Sequence, residues 1–178
     1  MAADERVIRL KLRSVEQLFN SLDPSPFVGR DLDPAAESFI VDWAAEHPRT
    51  GAFKLEVLVE QVAAPELAQE RLSAALQSYF GASVAATEQQ FRRLMRQGRF
   101  SLLVGLAFLI TCFGVSDLLQ QQVPHSRAVD FISEGLLIVC WVAMWQPLQI
   151  FLYEWWPLRR HRQLLQRLAA MSVVIKTQ

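Results

Sequence analysis

The chain has 178 residues, 52% of them hydrophobic, with 18 basic and 18 acidic side chains and a formal charge of zero. That length bounds it to one or two compact units. The zero hides an asymmetry, since residues 1–91 hold 8 Lys/Arg against 14 Asp/Glu while residues 92–178 hold 10 against 4. The acidic first half excludes a nucleic-acid domain on electrostatic grounds, and no nucleic acid is expected among the partners.

Taken in order, Ile8 to Arg13 alternates strictly, with Ile8, Leu10 and Leu12 on one side, and predicts a half-buried strand. Ser14 with Gln17 three residues later predicts a capping box and a short helix to about Ser21. Asp23 to Asp33, DPSPFVGRDLD, reads as a structured loop. Phe27 is expected in the core, and Phe27 with Asp31 is the candidate interface of this domain. Asp33 and Pro34 form an N-cap and first helical residue, which accounts for Asp33 without a metal. The helix they open is expected to reach Glu46 with Phe39, Ile40 and Trp43 on its apolar face. His47 to Gly51 is a turn, and Phe53 to Glu60 is a second alternating strand. Pro65 opens a helix expected to reach about Phe80, which Gly81 breaks or bends, and a further helix runs from Ser83 to Arg99. That last helix either stands as a stalk or lies flat as an amphipathic surface helix.

The next stretch sets the class. From Phe100 to Ser116 there are 17 consecutive uncharged residues, and from Gly135 to Tyr153 there are 19. At about 1.5 Å per residue these runs span roughly 26–28 Å, close to the ~30 Å hydrocarbon core of a bilayer. So little remaining chain cannot surround two such helices. Arg92, Arg93, Arg96 and Arg99 precede the first run and Arg159, Arg160 and Arg162 follow the second, whereas the intervening loop has only Arg127. The positive-inside rule puts both termini in the cytoplasm, with these arginines at anionic lipid headgroups. Tyr153, Trp155 and Trp156 suit an aromatic belt. Within the runs, Pro147 is a candidate kink. Gln146 and Gln149 share a helix face, and Ser101 and Gly105 form a small-xxx-small pair; both pairs are candidate contacts between helices. Pro157 should stop or offset the second helix. Leu158 to Met171 then forms a basic amphipathic helix along the cytoplasmic leaflet, with Leu164, Leu165 and Leu168 on one face. Ser172 to Gln178 frames an extra strand or frays.

The expectation is therefore an α+β membrane protein. A small two-stranded α/β cytoplasmic domain occupies 1–82. A stalk or amphipathic helix follows at 83–99, transmembrane helices at 100–119 and 135–156 flank an outer loop at 120–134, and a basic tail fills 157–178. A two-stranded sheet is marginal alone, so help from the stalk, the membrane surface or another protomer is expected. The amino terminus lacks an apolar signal core, so the first span is expected to act as its own uncleaved signal. Cys112 and Cys140 lie inside the apolar runs without a CxxC spacing, which predicts neither disulfide framework nor zinc site. Phosphate-binding, metalloprotease and nucleophile-elbow motifs are absent from the sequence, and His47, His125 and His161 are far apart in it. No catalytic residue, metal or cofactor is expected.

The loop DPSPFVGRDLDPAAESFI, the entry RFSLLVGLAFL and the run GLLIVCWVAMWQPLQIFLYEWWPLRR together resemble a family of bacterial two-span membrane proteins of unassigned function. The likeness covers most of residues 7–168 and implies a bacterial inner-membrane protein, with no activity to carry over. The leading expectation is a non-enzymatic anchor for an interaction domain, acting as an accessory subunit or a homo-oligomer. A small oligomeric transporter or channel subunit is the alternative, and a lipid-modifying enzyme using Glu154 the third.

Overall fold

The computed structural model describes residues 6–47, 51–60, 65–122 and 127–177. The middle of the turn expected at His47–Gly51, residues 48–50, and His125 lie outside them. The chain divides into two compact units, one made of residues 1–88 with 160–178, the other of residues 89–159.

In the first unit the alternating stretches form strands as expected: β1 is Arg6–Leu12 and β2 is Phe53–Val59, with every second residue of β2 buried. The sheet is not two-stranded. Ser172–Thr177 forms β3 on the free edge of β2, and the order is β1-β2-β3 with both pairings parallel. The register aligns Ile8 with Leu55 and Val173, and Leu10 with Val57 and Ile175, so one face of the sheet is continuously apolar. This resolves the two readings of the tail in favour of a strand, because Val173 and Ile175 find an apolar face waiting at the same pleat.

The expected capping box at Ser14 is not made. Gln17 instead accepts from the Arg13 N–H at 3.0 Å, and only a 3-10 turn, Val15–Leu18, forms. α1 spans Pro34–Glu46, and Asp33 caps it by accepting from the N–H groups of Ala35 and Ala36. Ile40 and Ala44 are its buried residues, whereas Phe39, expected inside, is 49% exposed. The inward stripe follows the i, i+4 pair, and Phe39 falls one step off it.

α2 runs unbroken from Pro65 to Gln122. The break expected at Gly81 does not occur, since a glycine costs an exposed helix only about 1 kcal/mol and both neighbouring turns are strong. Ser83, expected to open a new helix, instead donates its hydroxyl back to the Tyr79 carbonyl, and Thr87 does the same to Ser83. α2 and α3, Arg127–Gln149, also take up most of the expected 120–134 loop. Nor does Pro157 end the second long helix. A π turn, Ile150–Glu154, leads directly into α4, Trp155–Ala169, and Trp155 Nε1 donates to the Phe151 carbonyl at 2.7 Å. The wider turn accommodates the N–H that proline lacks.

The core of the first unit gathers Ile8, Leu55 and Val57 from the sheet, Ile40 and Ala44 from α1, Leu72, Leu76 and Phe80 from α2, and Leu165 and Leu168 from α4. The apolar face of α4 was expected to rest on lipid. Leu165 and Leu168 are 2% and 0% exposed, so that face is spent on the sheet.

Candidate functional site

Small residues recur every seven positions in both apolar helices: Gly98, Gly105 and Cys112 in α2, and Ser133, Cys140 and Pro147 in α3. All six are buried. A seven-residue repeat of this kind lets two helices approach closely along a left-handed seam. The partners run antiparallel. A Cβ placed on Gly98 would lie 2.9 Å from Ile150, and one on Gly105 would lie 3.0 Å from the Met144 sulfur. Cys112 faces Cys140, both as free thiols, and Ser116 donates to the Ser133 hydroxyl at 3.0 Å. The Ala143 carbonyl, which loses its helical donor to Pro147, faces the bare backbone of Gly105. Beside the thiols a cavity of about 520 Å³ is lined by Ser116, Asp117, Asp130, Ser133 and Glu134 as well as the two cysteines. Among the described residues no group of three His, Cys, Asp or Glu side chains is placed to hold one metal ion.

Of the residues singled out from sequence, Gly105 and Pro147 lie in this seam, and Ser101 sits half-buried one turn before Gly105. Gln146 and Gln149 are exposed. They do not hold the hairpin together, because the seam falls on the helix face that carries Cys140 and Pro147. Arg92, Arg93, Arg96, Arg99, Arg159 and Arg160 are exposed, as are Tyr153 and Trp156, while Trp155 is half-buried. The Arg159 guanidinium lies 5.9 Å above the Trp155 ring. Arg162, expected at headgroups with the others, is half-buried and pairs with Glu88 at 3.8 Å.

In the first unit the loop after β1 is organised by Asp23, which the sequence reading passed over. Its carboxylate accepts from the Asp31 N–H at 2.7 Å and the Ser25 N–H at 2.9 Å, and these bonds hold it below the usual carboxylate range. The Asp-Pro-Ser turn signature was the available signal. Phe27 packs half-buried with its ring 4.7 Å from that of Phe19, and Asp31 is exposed. Beneath the loop, burial pushes the Tyr79 hydroxyl well above its ordinary range, helped by a hydrogen bond to Glu37.

The outer face of the sheet carries a second missed group, Glu56 on the central strand. Lys176 of β3 reaches Glu56 Oε1 at 2.6 Å and Arg9 of β1 reaches Oε2 at 3.3 Å, so one carboxylate ties all three strands. The Lys176 bond is the main reason the Glu56 carboxyl stays below its ordinary value. Arg167 closes the opposite side, 4.0 Å above the Phe53 ring and donating to the Gly51 carbonyl, and desolvation lowers its pKa.

Comparison of the chain with protein families, characterised proteins and solved structures finds no match. Two helices, within Pro65–Leu119 and Asp130–Ala169, are long and apolar enough to cross a membrane.

Proposed function

We propose that the chain is a two-span protein of the bacterial inner membrane with both termini in the cytoplasm. Its α/β unit is a non-enzymatic interaction module, joining copies of the chain or a protein partner at the membrane. The observation that carries this reading is the construction of the first unit from both flanks of the hairpin. β1, β2 and the start of α2 come before residue 89, and the end of α4 with β3 comes after residue 159. A single sheet assembled from both flanks requires the hairpin to leave and return on one side of the membrane, hence an even number of spans. The low burial of the apolar windows, 11% and 17%, agrees with a lipid-facing surface rather than a soluble core. The exposed arginines at both hairpin ends support the cytoplasmic assignment and contact with anionic lipid. Exposed Gln146 and Gln149 are then available to another chain within the bilayer, where such hydrogen bonds contribute about 0.6–2 kcal/mol each.

The test is labelling in intact cells with an impermeant maleimide, in a background where Cys112 and Cys140 are serine. Arg127→Cys should react from outside. Gln166→Cys should react only after permeabilisation. The opposite pattern, or equal labelling of both positions, would refute the topology. Native mass spectrometry of the extracted protein then separates self-assembly from a mixed complex.

A further inference from the structure

All-parallel sheets occur almost only with both faces covered, because each strand is apolar enough to need it. Among the described residues, α1, α2 and α4 build a core on one face only. On the other, Val7, Leu58 and Val174 are half-buried apolar side chains, one from each strand and each in a different row of the register, so they are interspersed among charged side chains. Arg9, Lys11 and Lys176, all exposed, and half-buried Lys54 share that face, with Glu56 as the central anion. The face is therefore net positive, four cations around one carboxylate, with scattered apolar side chains between them. Three strands about 4.8 Å apart offer a width that one helix about 10 Å across covers, and strands of six or seven residues give a length of about 20–23 Å.

The same unit presents a helix of matching chemistry. α1 has 13 residues, about 20 Å of helix. Its outward stripe is Phe39, Asp42 and Glu46, an exposed aromatic ring followed by two exposed carboxylates at helical spacing. The two acids suit the arginine and lysines of that face, and Phe39 suits the apolar side chains between them.

We propose that the outer face of the sheet is a docking surface for α1 of a second copy of this chain. This deepens the reading of the α/β unit as an interaction module and rests on it. α1 packs on the apolar face of its own sheet and the docking surface is the opposite face, so the two contact surfaces lie on opposite sides of one unit. Such a contact is head-to-tail. It builds a ring of three or more copies where the rotation between neighbours closes and an open chain where it does not, rather than a two-fold dimer. Tethering in one membrane gives every copy the same orientation, which favours closure. A bilayer is the poorer occupant, because the face has no aromatic side chain to insert and is centred on a carboxylate.

The test uses the full chain in its own membrane. Variants Asp42→Lys/Glu46→Lys and Arg9→Glu/Lys11→Glu are expressed singly and together with distinct tags, with Lys11→Glu alone as the mildest sheet variant. Circular dichroism verifies that each is folded before native mass spectrometry. The wild type should appear at three or more times the 20.3 kDa protomer mass. Each reversed variant alone should lose at least tenfold of that assembly. Co-expression of the α1 variant with a folded sheet variant should restore it, in mixed copies only, because each reversed surface then meets an opposite charge. Assembly that persists in both variants would overturn the proposal while leaving self-assembly intact. A wild type found only as protomer would overturn the proposal and the self-assembly arm of the functional reading with it. Failure of folded variants to rescue one another would overturn the charge pairing itself.

Discussion

Replacing Ile175 by alanine tests whether β3 is a cooperative part of the sheet or an appendage on its edge. Ile175 is 8% exposed and aligns with Val57 on the central strand. The substitution removes three carbons, worth about 0.8 kcal/mol each in transfer from water. The cavity left behind adds to that, and buried Ile-to-Ala changes fall at about 2–5 kcal/mol. The site lies on an edge strand and can partly collapse, so about 3 kcal/mol is expected. That is a large share of the roughly 5–15 kcal/mol that holds a typical domain folded. Hydrogen exchange on the protein in lipid nanodiscs reads the effect segment by segment. If β3 is integral, the amides of β1, β2 and α1 lose protection together by about the same amount. Faster exchange confined to residues 172–177, with β1 and β2 unchanged, would refute the reasoning.

Three further expectations follow from the other contacts. Leucine at Gly98 or Gly105 should open the hairpin seam, because the first side-chain atom alone would meet Ile150 at 2.9 Å or Met144 at 3.0 Å; overpacking of this kind costs about 1–3 kcal/mol, read as lower resistance to unfolding in mixed micelles, while Gly114→Leu, which points into open space, should be neutral. A short bifunctional thiol reagent should bridge Cys112 and Cys140 within one chain and protect both from later alkylation, and independent alkylation of the two would contradict their facing arrangement. Glu56 has a folded pKa below its ordinary value of 4.5, so its stabilisation is complete above that value and is lost as pH falls through the depressed one. Glu56→Gln should therefore flatten the acid limb of the stability profile, and an identical acid limb in variant and parent would remove the three-strand ion pairing from the account.

Much of the architecture was legible because it rests on periodicity. The two uncharged runs, the alternation of Phe53 to Val59 and the Asp33–Pro34 helix start each follow from local rules that the tertiary structure respects. What escaped was long-range. Val173, Val174 and Ile175 are too few to identify a strand until β2 supplies an edge and an apolar face. Leu165 and Leu168 look the same whether they rest on lipid or on a sheet, and only the third strand decides between them. The seam was missed for a different reason. A four-residue spacing picked out Ser101 and Gly105, whereas the contacts follow a seven-residue spacing through Gly98, Gly105 and Cys112. Gly81 and Pro157 show that a breaker residue is a local penalty only, outweighed when the helix on both sides is strong.

The separation of β3 from β2 also has a consequence in time. Roughly a hundred residues lie between Val59 and Ser172. At the usual 5–20 residues per second, a ribosome needs about 5–20 s to make them. Throughout that interval the central strand waits with one edge unpaired, the state in which strands recruit the wrong partner. The sheet closes only after both apolar helices have left the ribosome. A chain whose hairpin stalls, or whose synthesis stops early, keeps an open strand edge, and that edge distinguishes the unfinished product from the finished one to any chaperone or protease that reads exposed strands.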